Sequence, residues 1–173
     1  MAAADPRQFG DFAAVRTGGD VGRLIRLGEA LNGDGFADYE HAMIYVGGGM
    51  VVEAEPGGAR LRFRDAEEGD LWSTGLWKLS LKTRKAICDA ARGYVGIPYG
   101  WLDYAALAAH RLHIPAPGLR KFIASTGHMI CSQLADQCYA DAGVHLFSDG
   151  RWPGYVTPAA LASLILARHA EAP

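Results

Sequence analysis

Apolar and polar positions follow two rhythms along this chain, a strand rhythm in the first 80 residues and a helical one after them. A short apolar run, Val21 to Leu27, follows Gly19-Asp20. Ala42 to Val46 and Met50 to Ala54 flank Gly47-Gly48-Gly49, the layout of a β-hairpin. Gly57-Gly58 leads into Ala59-Arg60-Leu61-Arg62-Phe63-Arg64, an alternation that predicts a strand with one solvated face. Leu76 to Leu79 reads as another short strand. Ile87, Ala90, Ala91 and Tyr94 then fall at i, i+3, i+4 and i+7, one face of a helix that Gly96-Ile97-Pro98 stops. Leu102 to Leu112 predicts a second helix, ended by Pro115 and Pro117. Cys131, Leu134, Ala135, Cys138, Tyr139 and Ala142 keep helical spacing, with Gly143 at a C-cap position. Thr157-Pro158 supplies an N-cap and an N1 proline for a last helix, to about Arg168. A sheet-rich half followed by a helix-rich half predicts the α+β class. The expected layout is one domain over 18–168, with an N-terminal extension 1–17 and a tail 169–173.

Composition narrows the function classes. A length of 173 residues suits one domain with a core of its own. Half the residues are hydrophobic, too many for a disordered chain. The 17 basic and 19 acidic side chains leave a net charge of −2, which gives no footprint for nucleic acid or an anionic membrane. No apolar run approaches the roughly 20 residues of a transmembrane helix. The opening MAAADPRQFGDF lacks the charged-then-apolar layout of a signal peptide. The cytoplasm is therefore the expected compartment, with a virion or another export route as alternatives. Cys88, Cys131 and Cys138 make no disulfide framework, and without a C-x-x-C pair a zinc site is not expected.

Cys131 opens a predicted helix, where unpaired N–H groups and the helix dipole favour thiolate over thiol. The same groups suit an oxyanion. Cys131 also lies on that helix's apolar face, as a buried inert cysteine would. A three-residue loop at Gly47 to Gly49 puts position 41 opposite 55 and position 43 opposite 53. His41, Glu53 and Glu55 then share one face of the sheet. A carboxylate beside an imidazole fixes its tautomer and stabilises the imidazolium. Geometry does not choose between Glu53 and Glu55, and a two-residue turn would flip both away. His110 and His113 have a metal-ligand spacing but no third ligand. Tyr99 follows a sharp turn and is a candidate pocket residue, as are Trp101, Trp152 and Tyr155 at a rim; His128 lies three residues before Cys131.

In combination these segments resemble a family. His41-Ala-Met-Ile-Tyr45-Val-Gly47-Gly-Gly-Met-Val-Val-Glu53-Ala is similar to the H-x-x-I-Y-x-G-x-G-x-x-x-E-A hairpin of circularly permuted NlpC-type papain-like hydrolases. Gly93-Tyr-Val-Gly96-Ile-Pro98-Tyr99-Gly resembles their lGkPY segment, and Cys131-Ser132-Gln133-Leu134 with Ala142-Gly143 their nucleophile helix. Gly19-Asp20 and Val156-Thr157-Pro158-x-x-Leu161 match the opening and closing motifs, so the likeness spans about 18 to 165. His41 and Glu53 precede Cys131, the order of the permuted branch, which includes YiiX-like and YaeF-like amidases and relatives of lecithin:retinol acyltransferase.

The resemblance implies a permuted papain-like fold, an antiparallel sheet packed on helices of the C-terminal half. It implies Cys131 as nucleophile, His41 as base and Glu53 as orienting residue, with Tyr99, Tyr45 and Ser132 as candidate substrate or oxyanion contacts. The implied activity is hydrolysis of an amide in a peptide or acyl-amide, foremost a bacterial peptidoglycan stem, with no metal or cofactor. An acyltransferase or thioesterase of the same fold is the first alternative, and a phage-tail or secretion-machine component the second. The stretch 101–129 is a candidate lid or docking surface.

Overall fold

The computed structural model describes residues 5–16, 39–65, 69–100, 129–151 and 156–171. Five strands lie among them: β1 (Phe12–Val15), β2 (His41–Gly47), β3 (Met50–Glu55), β4 (Gly58–Phe63) and β5 (Leu71–Trp72). Three helices follow: α1 (Leu81–Gly93), α2 (Cys131–Asp141) and α3 (Pro158–Glu171). The strands form one antiparallel sheet in the order β4-β3-β2-β1-β5, and the class is α+β.

Glycine sets the register of the central hairpin. Gly48 and Gly49 have φ of +62° and +75°, the left-handed backbone that a two-residue turn needs. The pairs run Met43↔Glu53, Ile44↔Val52 and Tyr45↔Val51, and then shift to Gly47↔Met50. This bulge absorbs one residue, so the 43-to-53 register expected of a three-residue loop survives around a shorter turn. Pro56-Gly57 turns the chain into β4, which pairs Glu53 with Arg60 and Val51 with Arg62. At Gly58 φ is +111°, and a Cβ there would sit 2.9 Å from the Ile97 carbonyl oxygen. That close approach lets the Ala59 N–H donate to Ile97 O and the Gly96 N–H donate to Ala59 O, each at 2.8 Å.

Both faces of the central strands β1 to β3 are covered. On one, Phe12, Ala14, Ala42, Ile44 and Val52 pack on Ile87 and Ala91 of α1, Leu134 and Tyr139 of α2, and Leu161 and Ile165 of α3. On the other, Ala13, Val15, Met43, Tyr45 and Val51 form a smaller cluster. The N-terminal segment closes it. The Arg7 guanidinium lies 4.5 Å from the Tyr45 ring centroid and 5.1 Å from that of Trp72, and donates to Arg64 O at 2.9 Å.

Three expectations change. Residues 12–15, assigned above to an extension before residue 18, form β1, fully buried between β2 and β5. A four-residue apolar run covered on both faces has no alternation to announce it. Leu76 to Leu79 is not a strand; the neighbouring strand is Leu71–Trp72, paired with Ala13 and Ala14 of β1. The last helix continues past Arg168 to Glu171, into the span set aside as a tail. The caps agree with sequence: Thr157 Oγ1 accepts from the Ala160 N–H at 3.1 Å, and Gly143 lies at φ +76° just past α2. The expected run Val21 to Leu27 and helix Leu102 to Leu112 lie outside the described residues. Among the described residues, no helix is long and apolar enough to cross a membrane.

Candidate functional site

Cys131 and His41 are each the first residue of their element, α2 and β2, and the two elements pack together at those ends. The α2 N-terminus differs from those of α1 and α3. Ser80 and Thr157 cap theirs with a side-chain oxygen, whereas Ile130, at the α2 N-cap, has none to offer. The first-turn N–H groups of α2 therefore act on Cys131 without a competing side-chain acceptor at the cap. Cys131 is fully buried and His41 nearly so.

The His41 ring bridges two partners. Its Nε2 lies 2.9 Å from Glu53 Oε2, and its side chain is hydrogen-bonded to Cys131. Glu55, the other carboxylate left open by the hairpin pattern, stands further off, with Oε1 4.0 Å from the same nitrogen. Burial opposes the charged imidazole, but the charge and hydrogen bond of the Cys131 sulfur, and then those of Glu53, outweigh it and push His41 up to about 10. Burial likewise opposes the Glu53 carboxylate. The bonds and charges of His41 and Arg62 overcome it and bring Glu53 down to about 2. The other thiols differ: burial pushes both Cys88 and Cys138 up, toward the inert neutral form.

Glu53 holds more than His41. Its Oε1 accepts from Arg60 Nε at 3.2 Å and Arg60 Nη2 at 3.1 Å, and also from Arg62 Nε. Its Oε2 faces Arg62 Nη2 at 3.4 Å, while Arg60 also bonds Glu55. The sequence reading passed over both arginines as members of a solvated strand face. Counting a two-residue turn at Pro56-Gly57 would have found them, because it sets 53 opposite 60. Among the described residues, one group has the proximity of a metal site: His41, Glu53 and Glu55, with ligand atoms within 4.8 Å of one another. Two guanidinium groups already bond its carboxylates, and a metal cation would compete with them for the same oxygens.

The three candidate contacts fare differently. Tyr99 forms a bridge with Met129, the Met129 N–H donating to Pro98 O at 3.1 Å, so it lies beside the strand of chain that enters α2. Tyr45 is taken up in the fold: its hydroxyl donates to Asp5 Oδ2 at 2.9 Å under the Arg7 guanidinium. Ser132 is fully buried, and its hydroxyl donates to Val156 O at 2.7 Å. Both hydroxyls are thus engaged within the fold. Trp101, His110, His113, His128, Trp152, Tyr155 and the stretch 101–128 lie outside the described residues. A separate cleft of about 510 Å³, lined by His145, Phe147, Arg151 and Arg168, shares no residue with the His41 constellation.

No family model, curated protein or solved structure matches this chain.

Proposed function

We propose that this chain is a cysteine hydrolase of the permuted NlpC-type papain-like kind, cleaving an amide bond through a Cys131 thiolate. The observation that carries the reading is the His41 ring, held between Glu53 at 2.9 Å and the Cys131 sulfur at an uncapped helix N-terminus. A charged sulfur and the Glu53 carboxylate both favour the protonated ring, so transfer of the Cys131 proton to His41 gives the thiolate–imidazolium pair that the reading requires.

The chemistry follows from that pair. The sulfur attacks the carbonyl carbon; a C–S bond forms and the carbonyl π electrons move to oxygen, where the α2 N–H groups face the new charge. Collapse breaks the C–N bond, and the leaving amine takes the His41 proton. Water then attacks the thioester while neutral His41 accepts its proton. The acid departs, and thiolate and imidazolium are restored. Glu53 stays ionised throughout and holds the ring in place. The substrate class proposed is the peptide stem of bacterial cell wall, which rests on the motif likeness.

Iodoacetamide labelling of each cysteine between pH 5 and 9, read by mass spectrometry, tests the thiolate. Unperturbed thiols ionise near about 8.5. Cys131 is expected to label below pH 7, ahead of Cys88 and Cys138, and His41→Ala to abolish that lead. Equal labelling of all three would sink the reading, as would full hydrolysis of stem peptides by Cys131→Ala.

A further inference from the structure

Glu53 carries more positive charge than its service to one histidine requires. Its fully buried carboxylate meets two guanidinium groups from β4, which bond chiefly Oε1, the oxygen His41 does not use, while Arg62 Nη2 also lies 3.4 Å from Oε2. We infer that Arg62, assisted by Arg60, is a positioning residue that works through Glu53: a two-guanidinium clamp that sets the carboxylate's orientation toward His41 and balances its charge. The inference rests on the proposed Cys131–His41 chemistry.

Near the Cys131–His41 pair stand Glu53 and Glu55 on β3 and Arg60 and Arg62 on β4, with Glu40, also buried, one residue before His41. On β3 and β4 two carboxylates face two arginines. Arginine stays charged at any working pH, so the clamp does not titrate away. Arg60 also spans Glu53 and Glu55, which holds the second carboxylate off the ring nitrogen that the first one occupies. A planar fork suits this task. Arg62 reaches both oxygens of Glu53 through Nε and Nη2, which a single ammonium point cannot copy.

Charge and geometry separate in the pH profile of Cys131 alkylation. Removing a cation disfavours the thiolate, so the rising limb of the profile moves to higher pH. Arg62 is about one-third exposed, so the shift is modest, about half a pH unit. Loss of the fork loosens the ring and lowers the height of the profile by about threefold. Arg62→Gln is expected to do both. Arg62→Lys is expected to keep the limb and lose the height. In a Glu53→Gln background neither substitution is expected to lower the height further, because the orienting path runs through that carboxylate.

The experiment compares wild type, His41→Ala, Arg62→Gln, Arg62→Lys and the two Glu53→Gln double variants, each checked for its fold by circular dichroism. A limb shifted upward in Arg62→Gln and restored by Arg62→Lys, with a height loss that is silent without Glu53, supports the clamp. An unmoved limb, a limb moved to acid, or a height loss that persists without Glu53 overturns it. If Arg62→Gln does not fold, Arg62→Lys carries the test through its height alone, and an unchanged height overturns the clamp. Wild-type Cys131 that labels no faster than in His41→Ala overturns the Cys131–His41 reading itself and the clamp with it. A fast wild type with an indifferent Arg62→Gln overturns the clamp alone.

Discussion

A carboxylate with no exposed surface, such as Glu53, stays charged because bonds replace the water it has lost. Its folded value lies below the ordinary 4.5, at about 2. The stability it contributes is therefore complete above pH 4.5 and is lost as pH falls toward 2. Glu53→Gln is expected to flatten acid unfolding in that window, measured by thermal melts from pH 2 to 6. The same substitution removes an anion from His41, so the alkaline limit of the proposed hydrolysis should fall below pH 10, part of the rise remaining with Cys131. Its rate should drop on the order of a hundredfold or more. Asp136, on α2, has the opposite sign. Burial is the main cause that pushes it up, to about 6. A group that binds its proton more tightly when folded costs stability as pH rises from about 3.8 to 6. Asp136→Asn should raise the melting temperature at pH 8 and leave it nearly unchanged at pH 4.

Among elements, the hairpin was the most legible. Three successive glycines mark its turn, but alternation leaves the register to the turn length, and the 43-to-53 pairing is kept only by a bulge between Tyr45 and Gly47 that no sequence pattern announces. The second hairpin was equally accessible through Pro56-Gly57, and with it the arginines on Glu53. β5 was not accessible, because two residues have no periodicity and the partner strand specifies them. What covers Tyr45, Asp5 and Arg7, sits far away along the chain and could not be read from its own segment. Helical spacing put Cys131 at the head of a helix, but spacing says nothing about which strand end that head meets. Helix caps give an independent check on the elements themselves. Ser80→Ala removes the side-chain acceptor of the Thr83 N–H and should cost about 1 kcal/mol in urea melts. A comparable loss from Ile130→Ala through capping is not expected, since Ile130 gives α2 no side-chain bond.

At the scale of the molecule, the N-terminal segment is part of the core. Phe12 lies 5.3 Å edge-to-face from the Tyr139 ring, the Tyr139 hydroxyl donates to Gly10 O at 2.7 Å, and buried Asp11 takes Arg84 at 2.7 Å. Asp11→Ala strands a buried guanidinium and should cost about 3–5 kcal/mol. A chain lacking 1–17 should fail to give the cooperative melt of the full protein, and a trimmed domain with native near-ultraviolet dichroism would contradict the sheet order. The site itself is split along the chain. His41 and Glu53 share one local hairpin, while Cys131 arrives from the far half and meets them only when α2 docks. A growing chain on the ribosome, or one nicked between the halves and parted, would therefore carry an ordinary thiol. On the proposed Cys131–His41 reading, reactivity switches on with completion of the tertiary structure, which makes Cys131 labelling a built-in reporter of whether the whole molecule has come together.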